Sequence, residues 1–150
     1  MIERICAVVT SVGADGSSVF GSASEVDATA YPDRGGVEQW SVWGTADGVC
    51  LVGDGTDPAV HAPPFPGEGG TRFFVVRLPP GLSGTFHTTD TVDYGVVIEG
   101  EIVLDLGDGG REVLPAGTCI VQRGTSHAWR NQTTDPALVA FVVIGARRAT

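Results

Sequence analysis

Gly81-Leu-Ser-Gly-Thr-Phe-His87-Thr-Thr89-Asp-Thr-Val-Asp93-Tyr94-Gly-Val-Val-Ile-Glu-Gly100 is the stretch on which the reading of the fold turns. His87 and Thr89 are two residues apart, so an extended chain places them on one face. Asp93 follows four residues later, where the apolar run Tyr94 to Ile98 begins. Downstream, Gln122-Arg-Gly124-Thr-Ser-His127-Ala-Trp129-Arg-Asn131 supplies another histidine just past a glycine turn. If the sheet closes into a barrel, His87, Asp93 and His127 converge on its interior. Two imidazoles and one carboxylate are the minimum set for a divalent metal with open coordination positions.

The chain around these stretches reads as many short strands. Ile2 to Val12 and Ser18 to Ala23 flank Asp15-Gly16, a hairpin signal. Val37 to Trp43 alternates, with Trp40 and Val42 on one face and Trp43 on the other. A Gly-, Pro- and Asp-rich stretch then runs to about Gly70. Beyond it the expected strands are Arg72 to Leu78, Thr85 to Thr89, Tyr94 to Ile98, Glu101 to Leu106, Glu112 to Leu114, Thr118 to Gln122, His127 to Asn131 and Ala137 to Ile144. Strands of about five residues, repeated roughly every ten, indicate an all-β sandwich or barrel. The chain of 150 residues fits one domain. Residues 1–70 would supply N-terminal strands and loops, and residues 71–146 the barrel core.

The spacing resembles that of the cupin family. The usual first cupin motif runs Gly, five residues, His-x-His, three or four residues, Glu, six residues, Gly. The second runs Pro-x-Gly, two residues, His, three residues, Asn. Both match here, from Gly81 to Gly100 and from Gln122 to Asn131, with Pro115-Ala116-Gly117 between them. The resemblance covers about Gly70 to Ala146 and implies a double-stranded β-helix, the jelly-roll cupin barrel. It also implies one divalent transition metal (Zn, Mn, Fe or Ni) held by His87, Asp93 and His127. Three positions depart from the pattern. Thr89 stands where the second His normally sits, Asp93 replaces Glu, and Gln122 replaces Pro. Gln122 is therefore a candidate replacement ligand or substrate hydrogen-bonding group, with Tyr94 beside it as a second substrate-orienting residue.

Family resemblance makes lyase or isomerase chemistry the leading expectation: dehydration, decarboxylation or cyclisation of a small organic acid or polyketide-like molecule. A non-haem Fe(II) oxygenase is the second reading, because two His and a carboxylate leave sites for dioxygen. A non-enzymatic small-molecule-binding barrel is the third, favoured by the lost His. The blander alternatives are specific too. His87 and His127 are hydrogen-bonded histidines of a barrel without metal, Asp93 caps a turn, and Gln122 is pocket wall.

Composition removes several function classes. Formal net charge is −9 and no basic cluster exists, which argues against nucleic acid or an anionic membrane as partner. All nine basic residues are Arg, so no lysine Schiff base can form. The three cysteines, Cys6, Cys50 and Cys119, are far apart and read as buried thiols in a reducing compartment. The N-terminus lacks a basic start and long apolar run, which points to the cytoplasm. His61 is expected to face solvent. Trp40 and Trp43 are candidates for core, pocket lid or the interface of a homodimer.

Overall fold

Two segments are apolar at nearly every position: Phe73-Phe74-Val75-Val76 and Leu138-Val139-Ala140-Phe141-Val142-Val143-Ile144. Such runs suit strands covered on both faces. In the computed structural model, which describes residues 2–45 and 64–148, they are β5 (Thr71–Leu78) and β11 (Ala137–Gly145). These two pair antiparallel at the centre of a six-stranded sheet of order β3-β4-β5-β11-β6-β9. The other members are β3 (Ala28–Tyr31), β4 (Val37–Thr45), β6 (Thr91–Glu99) and β9 (Cys119–Gln122). Facing it is a three-stranded sheet, β10-β7-β8, built from β7 (Glu101–Asp105), β8 (Arg111–Pro115) and β10 (Ala128–Arg130).

The inward residues of both sheets make the main core. Val76, Val97, Ile102, Ile120, Val139, Phe141 and Val143 are buried there, with Leu114 and Trp129 packed against them. Each fully buried aliphatic side chain is worth about 2 kcal/mol of transfer free energy. The opposite face of β5 and β11 makes a second, smaller cluster. Val75, Leu138 and Trp40 are buried in it, with Ile5 and Val26 packed on top. Ile5 and Val26 are paired residues at the base of a hairpin formed by β1 (Ile5–Val12) and β2 (Ser18–Val26).

The expected all-β jelly-roll is what the chain forms, and most strand positions agree with the sequence pattern. Two expectations are corrected, one strand went unread and one open choice is settled. Thr85 to Thr89 is not a ladder strand; only His87 pairs, in an isolated bridge to His127. The run contains one apolar residue, Phe86, and it is exposed, so burial does not draw the segment into the sheet. The strand β3 lay hidden in Ala-Thr-Ala, which carries no apolar alternation. Of the three readings left open for Trp40, the structure selects core: it is interior, under the Arg77 guanidinium at 4.8 Å. Cys6 and Cys119 are exposed thiols, because each falls on the outward register of its strand. His61 and Cys50 lie outside the described residues.

Candidate active site

Between the two sheets lies a cavity of about 560 Å³. Val37, Phe74, Val76, Leu78, Phe141 and Val143 supply apolar wall, and the indole of Trp129 closes one side. The polar lining includes His87, Thr89, Asp93 and His127. An apolar pocket with a few convergent polar groups is the usual form of a small-molecule site.

The two histidines are brought together by backbone. His87 N–H donates to the His127 carbonyl at 2.9 Å, and His127 N–H donates to the His87 carbonyl at 3.0 Å. Their ring centroids are 4.4 Å apart. The loop before His127 turns at Gly124, whose φ of +64° favours glycine; a Cβ there would sit 2.9 Å from the Thr89 carbonyl oxygen. Trp129 meets His127 edge-on at a centroid distance of 5.4 Å.

Each imidazole is fixed the same way. Nδ1 of His87 lies 3.0 Å from the Thr85 carbonyl oxygen, and Nδ1 of His127 lies 2.9 Å from that of Thr125. A carbonyl only accepts, so Nδ1 carries the proton and Nε2 keeps its lone pair in the neutral ring. Burial pushes the His127 pKa down. The Thr125 carbonyl opposes this, His87 adds to it, and Asp93 opposes it. The neutral form, the one with a free lone pair, is thereby favoured.

Asp93 comes from β6, opposite Gln122 of β9. It is 7 % exposed, and its Oδ1 is buried with no hydrogen-bond partner. Burial raises its pKa, against the Thr91 hydroxyl and the two histidines, which lower it. An orphaned buried carboxylate oxygen costs about 1–3 kcal/mol and is a group waiting for a donor or a cation. Thr89 is buried on the same lining and accepts a hydrogen bond from the Thr91 hydroxyl at 2.8 Å.

The structure thus brings His87, Asp93 and His127 to one cavity, and it places the other two candidates elsewhere. Tyr94 follows Asp93 on a strand, so it faces the opposite side, 52 % exposed and off the cavity. Gln122 is buried, but its Oε1 already accepts from the Thr125 N–H and hydroxyl, both at 2.9 Å. It shapes the turn that carries His127. Of the roles expected of Tyr94 and Gln122, Tyr94 thus turns its ring away from the cavity, and the Gln122 amide oxygen is engaged by its own turn. What the sequence reading missed was present as a repeat: Thr85-x-His87 and Thr125-x-His127 share the spacing that puts a threonine carbonyl on each Nδ1.

The donor chemistry fits a divalent ion: two Nε2 lone pairs with one unpartnered carboxylate oxygen. Among the described residues, however, no three His, Cys, Asp or Glu side chains form a ready metal-holding cluster. The imidazoles are paired, and the carboxylate lines the same cavity without joining them as a preformed triad.

The comparisons with known proteins agree with the fold. A family model described as a cupin domain matches residues 74–144. The Oryzines biosynthesis cluster protein J of Aspergillus oryzae is 40% identical over 61% of this chain and 51% of its own length. The cupin-domain-containing oxidoreductase srdD of Neurospora crassa is 33% identical over 57% of this chain and 45% of its own. The chain spans about half the length of the curated relatives it matches. Among solved structures, a predicted oxalate decarboxylase from Thermotoga maritima superposes with a TM-score of 0.56 at 20% identity, covering 79% of this chain and 92% of that one. An RmlC-like cupin from Shewanella frigidimarina gives 0.54 at 16%, covering 82% and 86%. At those identities the likeness is one of fold.

Proposed function

We propose, from the match of residues 74–144 to the cupin-domain family model, that this chain is a cupin enzyme of lyase or isomerase type. It would take a small, largely apolar organic molecule into the barrel and act on an oxygen-bearing carbon at the histidine end. The observation that carries the reading is the locked tautomer of both imidazoles, which leaves two Nε2 lone pairs at the polar part of an otherwise apolar cavity. His87 and His127 would hold a divalent metal through Nε2, with the unpartnered oxygen of Asp93 as third donor. Such an ion supplies Lewis-acid polarisation of a carbonyl, carboxylate or hydroxyl oxygen. The chain's own residues do the rest. The apolar walls would exclude water, and Trp129 would hold His127 in place.

Elemental analysis tests the metal part of the proposal. About one divalent ion per chain is expected as purified, and none in the double variant His87→Ala, His127→Ala. Equal metal content in both would overturn it. A second reading, an oxidoreductase using Fe(II) and dioxygen, is favoured by the names of relatives such as srdD. Oxygen uptake during turnover selects it; turnover without oxygen uptake selects the lyase or isomerase. The proposal also includes a homodimer in the cytoplasm, with apolar area from Val8, Val19 and Phe20 of the exposed hairpin. Sedimentation at micromolar concentration showing only monomer would remove the dimer.

A further inference from the structure

Acidic side chains outnumber arginines in this chain by 18 to 9, so an arginine without a carboxylate partner is unusual in it. Arg4, Arg77, Arg111, Arg130, Arg147 and Arg148 all make ion pairs, and Arg72 is engaged with the Thr45 and Thr71 carbonyls. Among the described residues, Arg34 and Arg123 have no acidic partner, and of these Arg34 alone lines the cavity. It sits in the 3-10 turn Pro32–Arg34 between β3 and β4. Its guanidinium lies 4.8 Å from the centroid of the Tyr31 ring, a contact that steadies the side chain without neutralising it. Arg34 and Phe65 are exposed where they meet the cavity, whereas Asp93 and His127 are buried in it.

We propose that Arg34 is a specificity-determining residue that binds the carboxylate of an amphipathic organic acid at the cavity rim while the acid's apolar body fills the barrel. The inference rests on the small-molecule reading of the cavity given above and narrows its substrate class. A guanidinium fork matches a carboxylate with two parallel hydrogen bonds. A phosphate dianion is disfavoured, because Asp33 borders the same rim and the chain carries a net charge of −9. The apolar body is required by the wall, since Phe74, Val76, Phe141 and Val143 offer a polar chain no partners.

The probes are 4-phenylbutyrate and its amide, 4-phenylbutanamide, which share shape and differ in charge. Binding is read from quenching of tryptophan fluorescence, with Trp129 in the cavity wall, and confirmed by calorimetry. Wild type is expected to favour the acid about tenfold, equal to about 1.4 kcal/mol. Arg34→Gln should erase that preference and leave amide affinity unchanged. Arg34→Lys should restore part of it, and added salt should weaken it in wild type. Arg123→Gln, at an arginine that also lacks an acidic partner but lies off the cavity, should keep the preference, which separates a local contact from net charge. Equal affinity for acid and amide in wild type, or a preference that survives Arg34→Gln, overturns the role of Arg34 while leaving the cavity reading intact. Failure of both probes to bind overturns the two together.

Discussion

The barrel and the hairpin arm are made of similar strands with opposite fates. Strand β11 is interior on both faces, so nearly every residue from Ala137 to Gly145 is at least partly buried. Strand β2 is as long, nine residues, yet every residue except Val26 is exposed. Each is paired to a neighbour along nearly its whole length. Hydrogen-bonded pairing alone therefore does not fix where stability resides; coverage of the side chains does. The cavity is held by the first kind of strand, and the arm packs on the barrel through Ile5 and Val26, with Ile2 hydrogen-bonded to Glu99 and Arg77.

The contrast can be broken most severely in the barrel. Ile102 is fully buried between the sheets, and Ile102→Ala should destabilise the chain by about 3–4 kcal/mol. Denaturant unfolding measures it, and a loss below about 1 kcal/mol would mean the two sheets do not share one core. Gln122→Ala removes both hydrogen bonds that shape the turn before His127, and about 1–2 kcal/mol should go with them. The same variant should weaken metal binding without removing a ligand; unchanged affinity would show that the turn does not aim His127.

Acid sharpens the comparison further. The buried carboxylate of Asp105 is held to about pKa 2 by the Arg130 guanidinium, the Gly107 N–H and Arg111. Its folded value lies below the ordinary 3.8, so its contribution is fully present above that pH and is lost as pH falls toward 2. The melting temperature of wild type should therefore fall more steeply than that of Asp105→Asn between about pH 4 and pH 2; parallel curves would contradict this. The smallest effect belongs to the arm. Phe20, 78 % exposed, should tolerate Phe20→Ser within about 0.5 kcal/mol at concentrations where the chain is monomeric. A cost comparable to that of Ile102→Ala would mean the arm is packed in solution.

The same contrast explains what the sequence made legible. The barrel strands announce themselves because burial on two faces demands unbroken apolar runs, and the glycines at 100, 117 and 124 punctuate them with positive φ. His87, Asp93 and His127 stand out because their spacing carries the cupin pattern. For Gln122 and Tyr94, reach and parity were not legible. A residue next to Asp93 on a strand must face away, and a glutamine three residues before a threonine N–H can be consumed by its own turn. Arg34 gave no signal in sequence, because its importance comes from lacking a partner, and pairing is visible only once the chain has folded.

In the function proposed above, His87 and His127 present free Nε2 lone pairs to one cavity that also contains position 89. Calorimetric titration with Mn(II) on wild type, His127→Ala and Thr89→His tests it most directly. Thr89 is buried on the cavity lining beside Asp93 and His127, so a third imidazole there would join the existing pair. The account predicts one saturable site per chain in wild type, none in His127→Ala, and tighter binding in Thr89→His. The same affinity in all three proteins would contradict it.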